Sequence, residues 1–275
     1  MNGIIAAASV FLGLGLYQGL AIRKYRIHSP KVAAGNTIRL LLLSDLHAKY
    51  WGKEQRALMS VVDSLLPDAV MLTGDMTDAT GKIDAVIDLI NRVLPQYPVF
   101  FTAGNHDLLT FDYPAIVDHL ERIGAVSLDK KTVLISVRGS LISISGVFDP
   151  LQAFIQQKND AVFMTEQLDS LTDRNRDSYS ILLSHRPEYI HLFAEAGFDL
   201  TLSGHTHGGQ IRLPYPLNGL YASGQGFFPR YSAGLYQQGQ MHMVVSRGLH
   251  QSILRPRFFN RPEAVIIEIS EEKQP

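Results

Sequence analysis

The chain has 275 residues, 46% hydrophobic and 19% charged, which is enough to bury one large domain or two small ones. A net charge of −1 excludes the global basic field of a nucleic-acid binder, so no nucleic-acid partner is expected. The absence of cysteine excludes disulfides, thiolate metal sites and cysteine nucleophiles, and leaves ten histidines to be explained.

Gly3 to Ile22 carries no charge, and as a helix these residues would rise about 30 Å, the thickness of a bilayer's hydrocarbon core. No basic segment precedes the run and no Ala-x-Ala-like cleavage site follows it; Arg23, Lys24 and Arg26 flank its end instead. The expectation is an uncleaved transmembrane helix with a basic flank over residues 1–26. The positive-inside rule then places the protein in the cell membrane by a single N-terminal pass, with the rest of the chain on the cytoplasmic face. Residues 27–36, containing Pro30 and Gly35, read as a linker to one domain over 37–275.

Beyond the linker, short branched runs bounded by Gly, Ser, Asp or Pro predict strands at Arg39–Leu43, Ala69–Leu72, Val99–Thr102, Val133–Val137, Leu141–Ile144, Ile181–Leu183, Leu200–Leu202, Met243–Val245 and Ala264–Ile269. Helices are predicted near Glu54–Leu66, Lys82–Leu94, Pro114–Ile123, Asp160–Leu171 and Pro187–Ala196. Strands separated by helices make this an α/β chain. The hairpin-like "TVLISVRGSLISIS" adds antiparallel pairing, so mixed or stacked sheets are expected.

Five of the apolar runs end alike. "RLLLLSDLH" closes on Asp45 and His47, and "AVMLTGDMTD" on Asp75 and Asp78. "VFFTAGNHD" closes on Asn105, His106 and Asp107, "ILLSH" on His185, and "LTLSGHTH" on His205 and His207. Singly, each would be an ordinary turn, cap or semi-buried histidine. Ligands of α/β sheets bind outside the carboxyl ends of strands, where all five endings can converge. Imidazole, carboxylate and amide oxygen form a mixed N/O set suited to Mn²⁺, Fe or Zn²⁺. Counted as ligands, Asp45, His47, Asp75, Asn105, His185, His205 and His207 exceed one tetrahedral site but suit two divalent ions about 3.5–4 Å apart, which clamp the attacking and leaving oxygens of a phosphoryl displacement. If the backbone is extended there, Asp45 and His47, and likewise His205 and His207, project to one side.

The ordered set D-x-H, G-D-x-x-D, G-N-H-D, isolated H and G-H-x-H, spanning Asp45 to His207, resembles the signature of calcineurin-like metallophosphoesterases. The tail, with "GHTHGGQIRLP", "YSAGLY", "SRGL" and "NRPEAVIIEI", resembles a membrane-associated bacterial branch that includes enzymes similar to UDP-2,3-diacylglucosamine pyrophosphohydrolases. The resemblance implies a fold of two mixed β-sheets sandwiched and flanked by helices. It implies that Asp45, His47 and His207 hold one metal, that Asp75 bridges, and that Asn105, His185 and His205 hold the second. His106 would face the substrate as the catalytic imidazole, oriented by Asp78. The box after Asp75 lacks the arginine of protein phosphatases and the third box ends in Asp107 rather than Glu, which argues against a Ser/Thr phosphatase.

From Thr201 to Pro262 there is no acidic residue but there are six arginines, Arg212, Arg230, Arg247, Arg255, Arg257 and Arg261, among aromatic residues that include Phe227 and Phe228. This suggests a cationic, aromatic rim, with Arg212, Arg247, Phe227 and Phe228 as substrate-binding candidates. The expected activity is hydrolysis of a phosphodiester or pyrophosphate bond in a lipid-linked substrate at the membrane, with two divalent ions, Mn²⁺ foremost. The alternatives are a phosphodiesterase on soluble substrates such as cyclic nucleotides, and a non-catalytic scaffold.

Overall fold

The computed structural model describes residues 2–171, 177–212, 218–251 and 256–271; Arg255 lies outside them. In chain order the elements are α1 (Asn2–Leu16), β1 (Ala21–His28), β2 (Thr37–Leu43), α2 (Arg56–Leu65), β3 (Ala69–Thr73), α3 (Asp84–Val93), β4 (Val99–Thr102), α4 (Asn105–Leu108), α5 (Tyr113–Arg122), β5 (Val126–Ser127), β6 (Lys131–Val137) and β7 (Ser140–Gly146). They continue with α6 (Leu151–Ile155), α7 (Asp160–Ser170), β8 (Tyr179–Leu183), α8 (Ile190–Glu195), β9 (Leu200–Ser203), β10 (Tyr221–Ala222), β11 (Gly226–Phe227), β12 (Gly234–Gln238), β13 (Met241–Val245) and β14 (Glu263–Ser270).

Two six-stranded mixed sheets, ordered β1-β14-β2-β3-β4-β5 and β12-β13-β9-β8-β7-β6, stack face to face. Side-chain alternation in the central strands explains the layers. Leu40 and Leu42 enter the core between the sheets with Met71, Ile144, Ile181, Leu202 and Val244. Leu41 and Leu43 point the other way, against α2, α3 and α5 through Leu58, Leu89, Ile90 and Leu120. The second sheet packs Leu182, Met243 and Val245 on its outer face against Met164 and Leu168 of α7 and Phe193 of α8. Strands covered on both faces read as unbroken apolar runs, as "RLLLL" does. The expected hairpin is β6–β7, closed by Arg138 and Gly139 at φ 48° and 77°, the positive-φ pair that a two-residue turn requires.

The expected transmembrane helix is not formed. Helix α1 has fifteen residues, a rise of about 22 Å, and among the described residues no helix is long and apolar enough to cross a membrane. The physical reason lies in β1. The Ala21 amide donates to the Pro262 carbonyl (2.8 Å), and Ala21–His28 pair in parallel with Glu263–Ser270 at the edge of the first sheet. Arg23, Lys24 and Arg26 are strand residues whose partners are Glu263 and Glu268, with Lys24 Nζ 2.6 Å from Glu268 Oε1. They are therefore not a membrane flank. The single pass, and the cytoplasmic orientation drawn from it, fall with the helix.

Candidate metal centre

The carboxyl ends of β2, β3, β4, β8 and β9 meet at one point between the sheets. Each strand stops just before its polar residues, and the loops brace one another. Asp45 N donates to Gly74 O (3.0 Å), His47 N to Asp75 O (3.0 Å) and Gly204 N to His185 O (3.0 Å). The ligand-type residues are not on extended backbone. Asp45, His47, Asp75, His205 and His207 all have φ between 47° and 69°, in the left-handed region. Outside glycine that region costs about 1 kcal/mol or more per residue and clusters at functional sites. The turn sends the two rings of His205 and His207 to different partners, where extended backbone would have aligned them.

Two groups of donors result, Asp45–His47–Asp75–His207 and Asp75–His185–His205, each with its ligand atoms within 4.8 Å of one another. Asp75 belongs to both. His47 Nε2 is 3.3 Å from His207 Nε2, and His205 Nδ1 is 3.2 Å from His185 Nε2. Asp75 Oδ2 lies 3.3 Å from His185 Nε2 and 3.7 Å from His47 Nε2. The Thr73 carbonyl, 2.7 Å from His185 Nδ1, fixes the tautomer and turns Nε2 inward. Among the described residues Asn105 Oδ1 is buried without a hydrogen-bond partner, next in sequence to His106, whose amide donates to Asp75 Oδ1. An unpartnered amide oxygen, with two converging groups of imidazoles and carboxylates, fits a pair of divalent cations.

Glycine makes room for this crowding. A Cβ on Gly204 would stand 2.6 Å from Asp45 Oδ2, and one on Gly248 would stand 2.6 Å from Asp45 Cβ. Asp45 itself accepts from the His205 amide through both oxygens, at 3.1 and 3.2 Å.

Electrostatically the site is set up for cations. Burial pushes Asp45 up to about 6, opposed by His185 and reinforced by Asp75. Burial drives His47 down to about 3, and holds His205 and His207 well below the usual imidazole value. Burial would lower His185 too, but the Asp75 and Asp45 carboxylates raise it to about 10. Burial alone would raise Asp75, yet His185 and then His47 pull it below the ordinary carboxylate range. A His185 so raised carries a proton that a bound cation has to displace. Since binding must displace it, apparent Mn²⁺ affinity should rise about tenfold per pH unit near pH 7, as the metal outcompetes a falling proton concentration. Titration calorimetry in two buffers of different ionisation enthalpy reads the released proton; equal heats in both would contradict it.

Of the other expected residues, His106 sits at the rim. Its ring stacks edge-on against His47 with centroids 4.7 Å apart, and its amide donates to Asp75 Oδ1 (2.7 Å). Asp78 is not brought to His106; its carboxylate accepts from Thr80 N (2.9 Å) and from the Thr80 hydroxyl. The neighbouring Asp107 holds the loop instead, accepting from Gly104 N, Thr77 N and the Thr77 hydroxyl at 2.7–2.9 Å. Arg247 is tied to buried Glu263 (3.3 Å), and Arg212 to the Gly208 carbonyl (3.2 Å) and Asn218. Phe227 and Phe228 are 72% and 60% exposed.

Two residues beside the donor groups were not among the site candidates. His250 stacks against His47 (4.7 Å) and His207 (5.6 Å), and buried Arg257 places Nη2 3.3 Å from His207 Nδ1. His250 had a signal: "MVVSRGLH" repeats the pattern of apolar run, small residues and imidazole, and β13 is a sixth strand ending here. Arg257 had none, since it looks like its five neighbours.

A two-sheet α/β sandwich whose strand ends gather two donor groups about one shared carboxylate is the frame of a candidate two-cation site. Residues 38–209 match the family model of calcineurin-like phosphoesterases. The chain belongs to that family and is a metal-dependent phosphoester hydrolase. It is 27% identical to the uncharacterized metallophosphoesterase YkoQ of Bacillus subtilis, over 86% of this chain and 85% of that one. It is 26% identical to YkuE of the same organism, over 98% and 94%. A zebrafish (Danio rerio) transmembrane protein with metallophosphoesterase domain is 28% identical over 76% of this chain and 47% of its own. Among solved structures, a Thermus thermophilus sulfate thiohydrolase SoxB in complex with glycerol superposes with a TM-score of 0.50 at 13% identity, over 85% of this chain and 56% of that one, a likeness of fold alone.

Proposed function

We propose that this hydrolase cleaves a phosphodiester or pyrophosphate bond in a lipid-linked substrate, in the manner of UDP-2,3-diacylglucosamine hydrolases, with two Mn²⁺ ions. Asp45, His47 and His207 would hold one cation, Asn105, His185 and His205 the other, with Asp75 shared. When bound, such ions activate water and neutralise phosphoryl oxygens. The chain's own residues do the rest. His106, at the rim and outside both donor groups, protonates the leaving oxygen. Asp107 fixes the loop that carries it through Gly104 and Thr77.

The observation that carries the lipid-linked reading is the place of Phe227 and Phe228. Their hairpin hangs from the ligand turn by Leu220 N to Gly209 O (3.0 Å) and Phe228 N to Leu220 O (2.9 Å), yet both rings stand in solvent. Exposed rings beside a phosphate-handling site suit an acyl-bearing substrate. Turnover should therefore be compared on lipid-linked and soluble phosphodiesters with Mn²⁺ added. Phe227→Ser/Phe228→Ser should lower kcat/KM on the micellar substrate about tenfold or more and leave a soluble diester unaffected. Equal losses on both, or none, would remove the lipid from the reading.

A further inference from the structure

We propose that His250 is a second substrate-contacting imidazole of the site, which donates its N–H to a phosphoryl oxygen and supplies binding where His106 supplies the proton. It rests on the phosphodiester chemistry of the reading above and on no part of its lipid.

The placement of His250 follows from the turn that carries it. β13 runs parallel to β9, so its carboxyl end opens at the same edge as His205 and His207. The turn is fixed at each step. Ser246 N donates to Ser203 O (2.9 Å), Gly248 N to Ser246 Oγ (2.9 Å), and Leu249 N to the carbonyl of Ser44 (2.8 Å), the residue before Asp45. Gly248 has φ 72°, the left-handed conformation in which the chain can bend closely against Asp45. Leu249 is fully buried in the core that backs the first sheet, and Gln251 Nε2 donates to Gln18 O (2.6 Å). His250 is thus held half-buried between two anchored neighbours.

The ring stands edge-on to His47 and to His207, with interplanar angles of 68° and 84°. His106 meets His47 edge-on as well, at 82°. Two imidazoles from distant parts of the chain therefore adjoin one donor, and neither belongs to a donor group. A phosphoryl group presents oxygens beyond those that cations meet, and N–H donors stabilise them. Arginine is the common supplier, but the arginines nearby brace the fold. Arg186 holds Asp149 (2.8 Å), Arg247 holds Glu263, Arg212 holds the Gly208 carbonyl, and Arg257 Nη1 donates to the Arg247 carbonyl (2.6 Å). A neutral imidazole carries one N–H, so His250 can donate without being charged. A donor of this kind tightens substrate and phosphate alike and is read in KM, whereas a proton donor to the leaving oxygen is read in kcat.

The test uses the Mn²⁺-loaded full chain, titration calorimetry with inorganic phosphate, and kinetics on a p-nitrophenyl and an alkyl diester. His250→Phe keeps a ring to pack on His47 and His207 but has no N–H; His250→Gln loses the ring and keeps a donor. The phenylalanine variant should raise both the phosphate Kd and KM about tenfold or more, equally on the two diesters, with kcat within about threefold and metal content unchanged. The glutamine variant should recover most of that loss. Phosphate affinity unchanged in His250→Phe would make the ring a packing element and overturn the proposal. Loss of Mn²⁺ from that variant, or a larger deficit on the alkyl diester, would overturn it too, by making His250 part of the metal site or a proton donor. So would a wild-type chain that binds no phosphate. A wild-type chain that turns over neither diester, with phosphate affinity lost in His250→Phe, would fail the phosphodiester reading and still support His250 as the phosphoryl contact.

Discussion

Asp75→Asn should lower turnover at least about 10³-fold and reduce bound metal from two ions per chain toward none. Asp75 is the residue that both donor groups share, with Oδ2 between His185 Nε2 and His47 Nε2. Asparagine keeps the shape but removes the charge, and either amide orientation costs a contact. If the NH₂ group faces the imidazoles, it points a donor at nitrogens that should bind metal. If it faces His106 N, it opposes the amide that Oδ1 now accepts at 2.7 Å. Loss of the carboxylate also withdraws the field that holds His185 near 10, so the variant should lose the proton release described above. Metal analysis and calorimetry, with a thermal melt to show an intact fold, read all three effects. Two tightly bound ions in the variant would remove Asp75 from the bridging position.

His106→Ala should behave differently. Among the described residues the ring has no hydrogen-bond partner and belongs to neither donor group, so metal content should stay near normal while kcat falls about 10²-fold. A leaving group that needs no proton should hide much of the defect. The deficit on a p-nitrophenyl ester should therefore be smaller than on an alkyl diester measured under the same conditions. An equal deficit on both would assign His106 to orienting the substrate and take the proton transfer from it.

Much of the metal centre was legible because its signal is local and repeated. An apolar strand followed by a small residue and a ligand-type side chain can be read within a dozen residues, and five such endings in order left little else they could be. The layers were legible for the same reason: a strand covered on both faces has no polar alternation to hide. The roles of second contacts were not. Asp78 is three residues from Asp75, yet its carboxylate turns back to Thr80, because a nearby hydroxyl and amide satisfy it sooner than a distant ring. Arg247 looked like a free cation because its acid, Glu263, lies one residue beyond the acid-free stretch and comes from another strand.

The N-terminus shows the division most sharply. The sequence by itself determined that residues 3–22 carry no charge, that the candidate ligands offer nitrogen and oxygen without sulfur, and that they follow apolar runs. Only the tertiary structure decided where the apolar run ends, since Ala21 and Ile22 find their hydrogen-bond partners in β14, some 240 residues away. Only it decided that the ligand residues turn left-handed and sort into two groups about Asp75. Side-chain chemistry and periodicity are written within a few residues of one another. Edge pairing, burial of charge and the meeting of loops depend on partners that adjoin only after the two sheets have closed.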